Sequence, residues 1–316
     1  MNENLNDEYL DSMNFLNEIS INYPQAISFA SGRPKEELFE VETIVDGIKD
    51  YVKNNKSDTS SYKDFFNYLG QYNKTKGIIN EEICQLVKND EDIVVSSEEI
   101  ILTDGAQEAM AIIINTIFSK KDEVLLVRDP SYVGLIGYAK IAGIPIEWIK
   151  SDKGQVDIEG LEETIKRIIK TGKRPRALYE VPDFHNPMGN YMSLDDRKSL
   201  IGLAEKYGFY IIEDNPYGYF RYEVDKIPTL KALDQNNHVL YIGSFAKSIF
   251  PSIRIGYLIV NKEMVEDCKK VKSFMTVNTS TLLQAMVGGL IRRENYSLEE
   301  FCQAKVQACK KVGIYY

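Results

Sequence analysis

Val239-Leu240-Tyr241-Ile242-Gly243-Ser244-Phe245-Ala246-Lys247-Ser248 sets the frame for the whole chain. A short apolar run, the pattern of a strand buried on both faces, passes at once into a turn that carries a lysine. Seven positions beyond Lys247 comes Arg254, in Ser252-Ile253-Arg254-Ile255-Gly256-Tyr257. Upstream, Tyr210-Ile211-Ile212-Glu213-Asp214-Asn215-Pro216-Tyr217 repeats the design, with an apolar strand that ends on a carboxylate. Working outward, the same alternation starts near residue 98. Strands are predicted at Glu99–Thr103, Glu123–Val127, Ile144–Ile149, Arg176–Val181, Phe209–Glu213, Val239–Ile242 and Ile255–Val260. Helices are predicted after Gly105, at Leu161–Ile169 and at Asp195–Tyr207. Short apolar strands separated by helices predict an α/β fold, a mainly parallel seven-stranded sheet sandwiched by helices, with functional loops at the carboxyl ends of the strands.

The chemistry follows from what those loops carry. Lys247 offers an amine at a strand end, Ser244 a hydroxyl, Arg254 a guanidinium and Asp214 a buried carboxylate. Gly105-Ala106-Gln107 opens a helix after a strand, where free N–H groups and the helix dipole can hold a phosphate dianion. A carboxylate that ends a buried strand needs a cationic partner. This set suits a phosphorylated aldehyde whose ring nitrogen is kept protonated, pyridoxal 5'-phosphate. Lys247 is then the Schiff-base residue and Asp214 the partner of the pyridinium nitrogen.

Bulk properties narrow the class. The 316 residues are 44% hydrophobic and 27% charged, enough to bury a large core. Net charge is -9 with no long basic stripe, so nucleic acid is not expected as a partner. Neither a signal peptide nor an apolar run of bilayer length is read, and a cytoplasmic protein is expected. Four cysteines without zinc spacing and two histidines give no metal site; the cysteines read as reduced, structural thiols. Three parts are expected: an N-terminal arm and linker (1–60), a large cofactor-binding domain (61–290), and the start of a small C-terminal domain (291–316).

The ordered motifs resemble the fold-type I pyridoxal-phosphate enzymes, closest to class I/II aminotransferases of the α-aminoadipate/kynurenine type. The resemblance runs from about Ile27 to Ile291. It rests on Ile27-Ser28-Phe29-Ala30-Ser31-Gly32-Arg33-Pro34, Gln71-Tyr72, Thr103–Ala109, Asp129-Pro130-Ser131-Tyr132, Val181-Pro182-Asp183-Phe184-His185-Asn186-Pro187-Met188-Gly189, Asp214-Asn215-Pro216-Tyr217 and Ser244–Tyr257. It implies that Lys247, Asp214 and Tyr217 carry the catalysis. Gly105, Ala106, Gln107, Ser244 and Arg254 would hold the phosphate, Tyr132 would stack on the ring, and Asn186 and Tyr217 would bond its phenolate oxygen. Gly32 and Asn186 would face the substrate. The resemblance further implies a homodimer in which Tyr72 reaches the phosphate of the opposite subunit. Core packing competes as a reading for Tyr132 and Tyr72, two of 20 tyrosines.

Transamination between an amino acid and a 2-oxo acid by a ping-pong route is the implied activity. A catalytically impaired or truncated homologue, and decarboxylation or elimination on the same fold, are the alternatives. An effector module of a transcription factor would need a basic winged-helix region ahead of Ile27, where only about 25 residues stand. Two family hydroxyls of the phosphate cup are replaced by Ala106 and Ala246. Each loss costs roughly 1.5–3 kcal/mol of hydrogen bonding to a charged group. Family members continue into a small domain whose arginine clamps the substrate α-carboxylate, and no residue here takes that place. The last helix carries Leu298, Phe301, Cys302, Val306, Cys309 and Val312 in a stripe that needs a partner surface.

Overall fold

A computed structural model of the chain describes residues 3–7, 10–11, 15, 18–19, 22–23, 25, 34, 36–55, 61–152, 155–221 and 225–312. The motif Ile27–Arg33, with Gly32, and most of the polar loop that follows residue 55 lie outside them. The main elements in chain order are α1 (Val41–Asn55), α2 (Tyr62–Leu69), α3 (Asn80–Glu91), β1 (Ile100–Thr103), α4 (Ala106–Ile117), β2 (Glu123–Asp129), α5 (Val133–Ile141), β3 (Ile146–Asp152) and β4 (Gln155–Val156). There follow α6 (Ile158–Lys170), β5 (Arg174–Glu180), α7 (Leu194–Tyr207), β6 (Tyr210–Asn215), α8 (Leu230–Leu233), β7 (Val239–Ser244), α9 (Phe245–Ser248), β8 (Gly256–Ile259), α10 (Val265–Met275), α11 (Thr281–Arg293) and α12 (Glu299–Val312).

The strands form one sheet in the order β1-β8-β7-β6-β5-β2-β3-β4. All seven predicted strands form, and β4 is a two-residue addition pairing antiparallel with β3. Strands β3, β2, β5, β6 and β7 run parallel, whereas β8 returns antiparallel between β7 and β1. The order reverses between β2 and β5, and ligands in such sheets bind at the carboxyl ends beside that reversal. Tyr132 follows β2 and Asn186 follows β5, so the sheet delivers both to the reversal point.

Local sequence explains the layers. On one face, the almost wholly apolar α4 packs with Leu125, Val127, Ala177, Tyr179, Ile212, Ile242 and Leu258. The opposite face is covered by α6 and α7 over Val124, Leu126, Leu178 and Ile211. Helix α6 is amphipathic, with Leu161, Ile165 and Ile168 buried and Asp157 capping it through the Gly160 N–H. Beyond them Ile44, Tyr51, Ile83, Leu86 and Leu290 cover β1 and β8.

Helix α1 falls in the segment expected to be arm and linker, yet Ile44 and Val52 are fully buried. It crosses α11 so closely that a Cβ on Gly289 would stand 1.7 Å from the Gly47 carbonyl oxygen. Only glycine permits that approach. The stripe on α12 also finds a surface: Leu298 and Cys302 are buried with Phe245, Ile249 and Phe250, and Val306 joins the α4 core. The side chains of Cys309 and Val312 lie outside the described set.

Candidate active site

The anion cup is built where β1 turns into α4. Gly105 has φ 86° and ψ 175°, a conformation that side chains exclude. A Cβ there would lie 2.6 Å from Arg254 Nη2. Arg254 itself is left-handed, φ 48°, and donates to the Asp104 carbonyl. The missing Cβ thus lets a guanidinium lie against the start of a helix whose first N–H groups have no intrahelical acceptor. Ser244 caps α9, its hydroxyl accepting from the Ala246 N–H at 3.3 Å. Gln107 contributes differently from its neighbours. Its side-chain Nε2 donates to the Gly134 carbonyl at 2.9 Å, so its backbone N–H is its candidate donor to an anion.

A carboxylate at the third position of α4 supports this turn. Glu108 is buried, accepts from the Asp104 N–H at 2.6 Å and pairs with Lys272 at 2.9 Å. Lys272 is fully buried and spends its other donors on Thr276 and Thr279, each at 3.0 Å. The break between α10 and α11 therefore holds the turn that presents Gly105. Nothing in the local sequence around residue 105 signals it, because the partners are 164 positions apart.

Asp214, Tyr132, Tyr217 and Asn186 gather at the carboxyl ends of β6, β2 and β5. Asp214 is 4% exposed. Its Oδ2 accepts from the Tyr179 hydroxyl at 2.8 Å, while Oδ1 has no hydrogen-bond partner among the described residues. Burial pushes its pKa up to about 7, and the Tyr179 hydrogen bond opposes that rise. Asn186 Nδ2 is 3.4 Å from the Tyr217 hydroxyl. The Tyr132 phenol is pushed up to about 12, first by burial and then by the charges of Asp214 and Tyr217, so the three groups share one space. The Asp129-Pro130 and Asn186-Pro187 peptide bonds beside them are cis.

Lys247 lies in α9, immediately after β7 and next to Asp214's strand. It is half-buried, and burial lowers the pKa of its amine. The turn that carries it is held from behind by Lys305 of α12, whose Nζ donates to the Ser248 carbonyl and, at 3.1 Å, to that of Ile249. His185 is 1% exposed, neither ring nitrogen is hydrogen-bonded among the described residues, and burial followed by Arg128 lowers its pKa to about 3. It is therefore a neutral ring beside Asn186. Tyr72 stands apart, 79% exposed on the loop after α2.

The donor set fits pyridoxal 5'-phosphate. A buried carboxylate oxygen without a partner, an amine from the adjoining strand, and an anion cup opened by Gly105 match its ring nitrogen, aldehyde and phosphate. Sequence reasoning missed Tyr179, Glu108, Lys272 and Lys305. Tyr179 alone left a signal, as the residue sharing a face with Ala177 and Val181 in a strand ending at the site.

The family profile described as aminotransferase class I and II matches residues 26–312. The (S)-3,5-dihydroxyphenylglycine transaminase of Amycolatopsis orientalis is 40% identical over 301 residues, which cover 93% of this chain and 68% of that protein. The crystal structure of Pyrococcus horikoshii kynurenine aminotransferase superposes with a TM-score of 0.83 at 26% identity, covering 94% of this chain and 71% of its own. The α-aminoadipate aminotransferase of Thermus thermophilus, complexed with N-(5'-phosphopyridoxyl)-L-leucine, gives 0.74 at 26% identity, covering 90% and 67%. The chain spans 64–68% of the length of the bacterial and archaeal aminotransferases it matches and 43–56% of other relatives.

Proposed function

The chain belongs to the class I and II aminotransferase family, and from that premise we propose that it moves an amino group between an amino acid and a 2-oxo acid with pyridoxal 5'-phosphate as cofactor. When bound, the cofactor supplies an electron sink for negative charge at the substrate Cα. The chain's own residues do the rest. The N–H groups of Ala106 and Gln107, the Ser244 hydroxyl and the Arg254 fork hold the phosphate. Asp214 keeps the ring nitrogen protonated, Tyr132 fixes the ring plane, and Asn186 and Tyr217 donate to the ring oxygen. Lys247 Nζ would hold the cofactor covalently and, once displaced by the substrate amine, would be the free amine that takes the proton from the substrate Cα. Its burial-lowered pKa makes the neutral amine available for that transfer.

The observation that carries this reading is the buried Oδ1 of Asp214, without a hydrogen-bond partner among the described residues, beside the strand that delivers Lys247. Adding pyridoxal phosphate and reducing with borohydride should fix the cofactor on Lys247, as peptide mapping would show. Lys247→Ala should abolish both the adduct and transamination. An adduct on another lysine, or turnover by the variant, would reject the assignment.

Within the proposal the protein is a cytoplasmic homodimer. Free thiols at Cys84, Cys268 and Cys302 are in keeping with a reducing compartment. Among the described residues no helix is long and apolar enough to cross a membrane. Tyr72 is exposed together with Tyr68 and Phe66, and Phe274, Val277 and Leu282 are exposed near the point where Thr281 bonds the Leu69 carbonyl. Such a surface suits a second copy that receives Tyr72. Sedimentation showing a monomer with full cofactor occupancy would remove that role. Residues 61–290 form the cofactor-binding domain in this reading, with 1–60 as arm and linker and 291–316 as the start of a small domain.

A further inference from the structure

Tyr179 has no part in the roles above, yet among the described residues it makes the one hydrogen bond that reaches Asp214's carboxylate. Building on the cofactor reading, we propose that Tyr179 is a positioning residue that favours the ionised form of Asp214 and turns its free oxygen, Oδ1, toward the cofactor's ring nitrogen.

The sheet register supplies the geometry. Tyr179 on β5 stands opposite Ile212 on β6, and Asp214 lies two residues further along the same face. With parallel strands about 4.8 Å apart and a rise of about 3.3 Å per residue, two residues along is about 8 Å away, within reach of an aromatic side chain. The phenol accordingly points along the sheet toward its carboxyl end and meets Oδ2 at 2.8 Å. Tyr179 is 0% exposed, so water cannot take its hydroxyl proton, and Oδ2 is the acceptor the structure provides. Holding Oδ2 in this way leaves Oδ1 as the carboxylate's one unengaged oxygen.

Chemistry makes the bond matter. Burial favours the neutral form of a carboxyl group, and a neutral acid cannot counter a pyridinium charge. A donor to the ionised form works against burial, and the phenol is that donor. Its own ionisation is blocked, since burial and the Asp214 charge hold its pKa well above the usual value. The phenol therefore keeps its proton and stays a donor that favours the ionised form of Asp214. A ring placed only to fill the core would need no hydroxyl, and phenylalanine would serve.

The test compares the apo-protein with Tyr179→Phe for binding two probes, by calorimetry or fluorescence quenching. One probe is pyridoxal 5'-phosphate. The other is its 1-deaza analogue, which keeps the aldehyde and phosphate but replaces the ring nitrogen by carbon. Tyr179→Phe should weaken pyridoxal phosphate binding about tenfold, roughly 1.4 kcal/mol, and leave the analogue unchanged or tighter. Equal weakening of both, including loss of both, would mean the hydroxyl acts through packing and overturns the inference. So would variant affinities equal to those of the unaltered protein. An unaltered protein that does not favour pyridoxal phosphate over the analogue would instead overturn the cofactor reading itself.

Discussion

Replacing Lys272 by methionine probes the support of the anion cup far from any ligand. The lysine side chain is 0% exposed and its partner Glu108 6% exposed, with Nζ and Oε2 2.9 Å apart. Methionine keeps most of the volume and removes the charge. Glu108 then retains donors from the Asp104 N–H and the Thr276 hydroxyl but loses its counter-ion in a dry site. Removing one partner of a buried pair costs about 3–5 kcal/mol. Unfolding entropy of about 2.1 cal/mol/K per residue amounts to about 0.7 kcal/mol per kelvin for a chain of this length. The melting temperature should therefore fall by about 4–7 °C in calorimetry. Adding Glu108→Gln removes the stranded charge, and the double variant should recover at least half of the loss. Pyridoxal phosphate affinity should fall alongside, because the Asp104 carbonyl of the same turn holds Arg254. A single variant within a degree of the unaltered protein would refute the reasoning. So would a double variant that loses the sum of the two single losses.

Other expectations follow from the same geometry. Gly105→Ala should destabilise the fold by about 1–3 kcal/mol and displace Arg254; equilibrium dialysis should show pyridoxal phosphate affinity down at least tenfold, and unchanged affinity would contradict the cup. Burial, partly offset by Arg221, holds the Glu91 pKa up to about 8. Between pH 4.5 and 8 the folded chain thus keeps a proton that the unfolded chain releases, and stability falls as pH rises through that window. Glu91→Gln should flatten the decline and raise the melting temperature at pH 8 but not at pH 4; parallel melting curves against pH would disprove it. Lys305→Met strips the donor from two carbonyls behind Lys247 and should cost about 1–3 kcal/mol, with slower borohydride fixation of the cofactor. Normal fixation would detach Lys305 from the site.

Much of the site is legible in the sequence because its residues sit where continuous apolar strands stop. Lys247, Asp214 and Gly105 each follow such a run, and the runs of a doubly covered parallel sheet are easy to see. Other features need the third dimension. The Tyr179 phenol looks like core until the β5–β6 register brings it to Asp214. Glu108 and Lys272 are two charges on separate helices until the fold buries them together. Helix α1 reads as part of an arm because its amphipathic pattern says nothing about what it docks on, and Gly47 and Gly289 show their purpose only as a pair. The Gln155-Val156 pair that forms β4 is too short to register as a strand. Gln107 is picked out by its place after Gly105, but its amide turns to α5 and only its backbone keeps that place.

The antiparallel return of β8 has a consequence for how the chain could vary. Lys247 and Arg254 ride on one hairpin-like excursion, leaving the sheet at Ser244 and rejoining it opposite that residue at Gly256. The spacing between the proposed covalent anchor and the proposed phosphate clamp is thus set by contour length. An inserted or deleted residue between them would mistune the two together, whereas a loop change after β2 or β5 would reshape the pocket wall and spare that ruler.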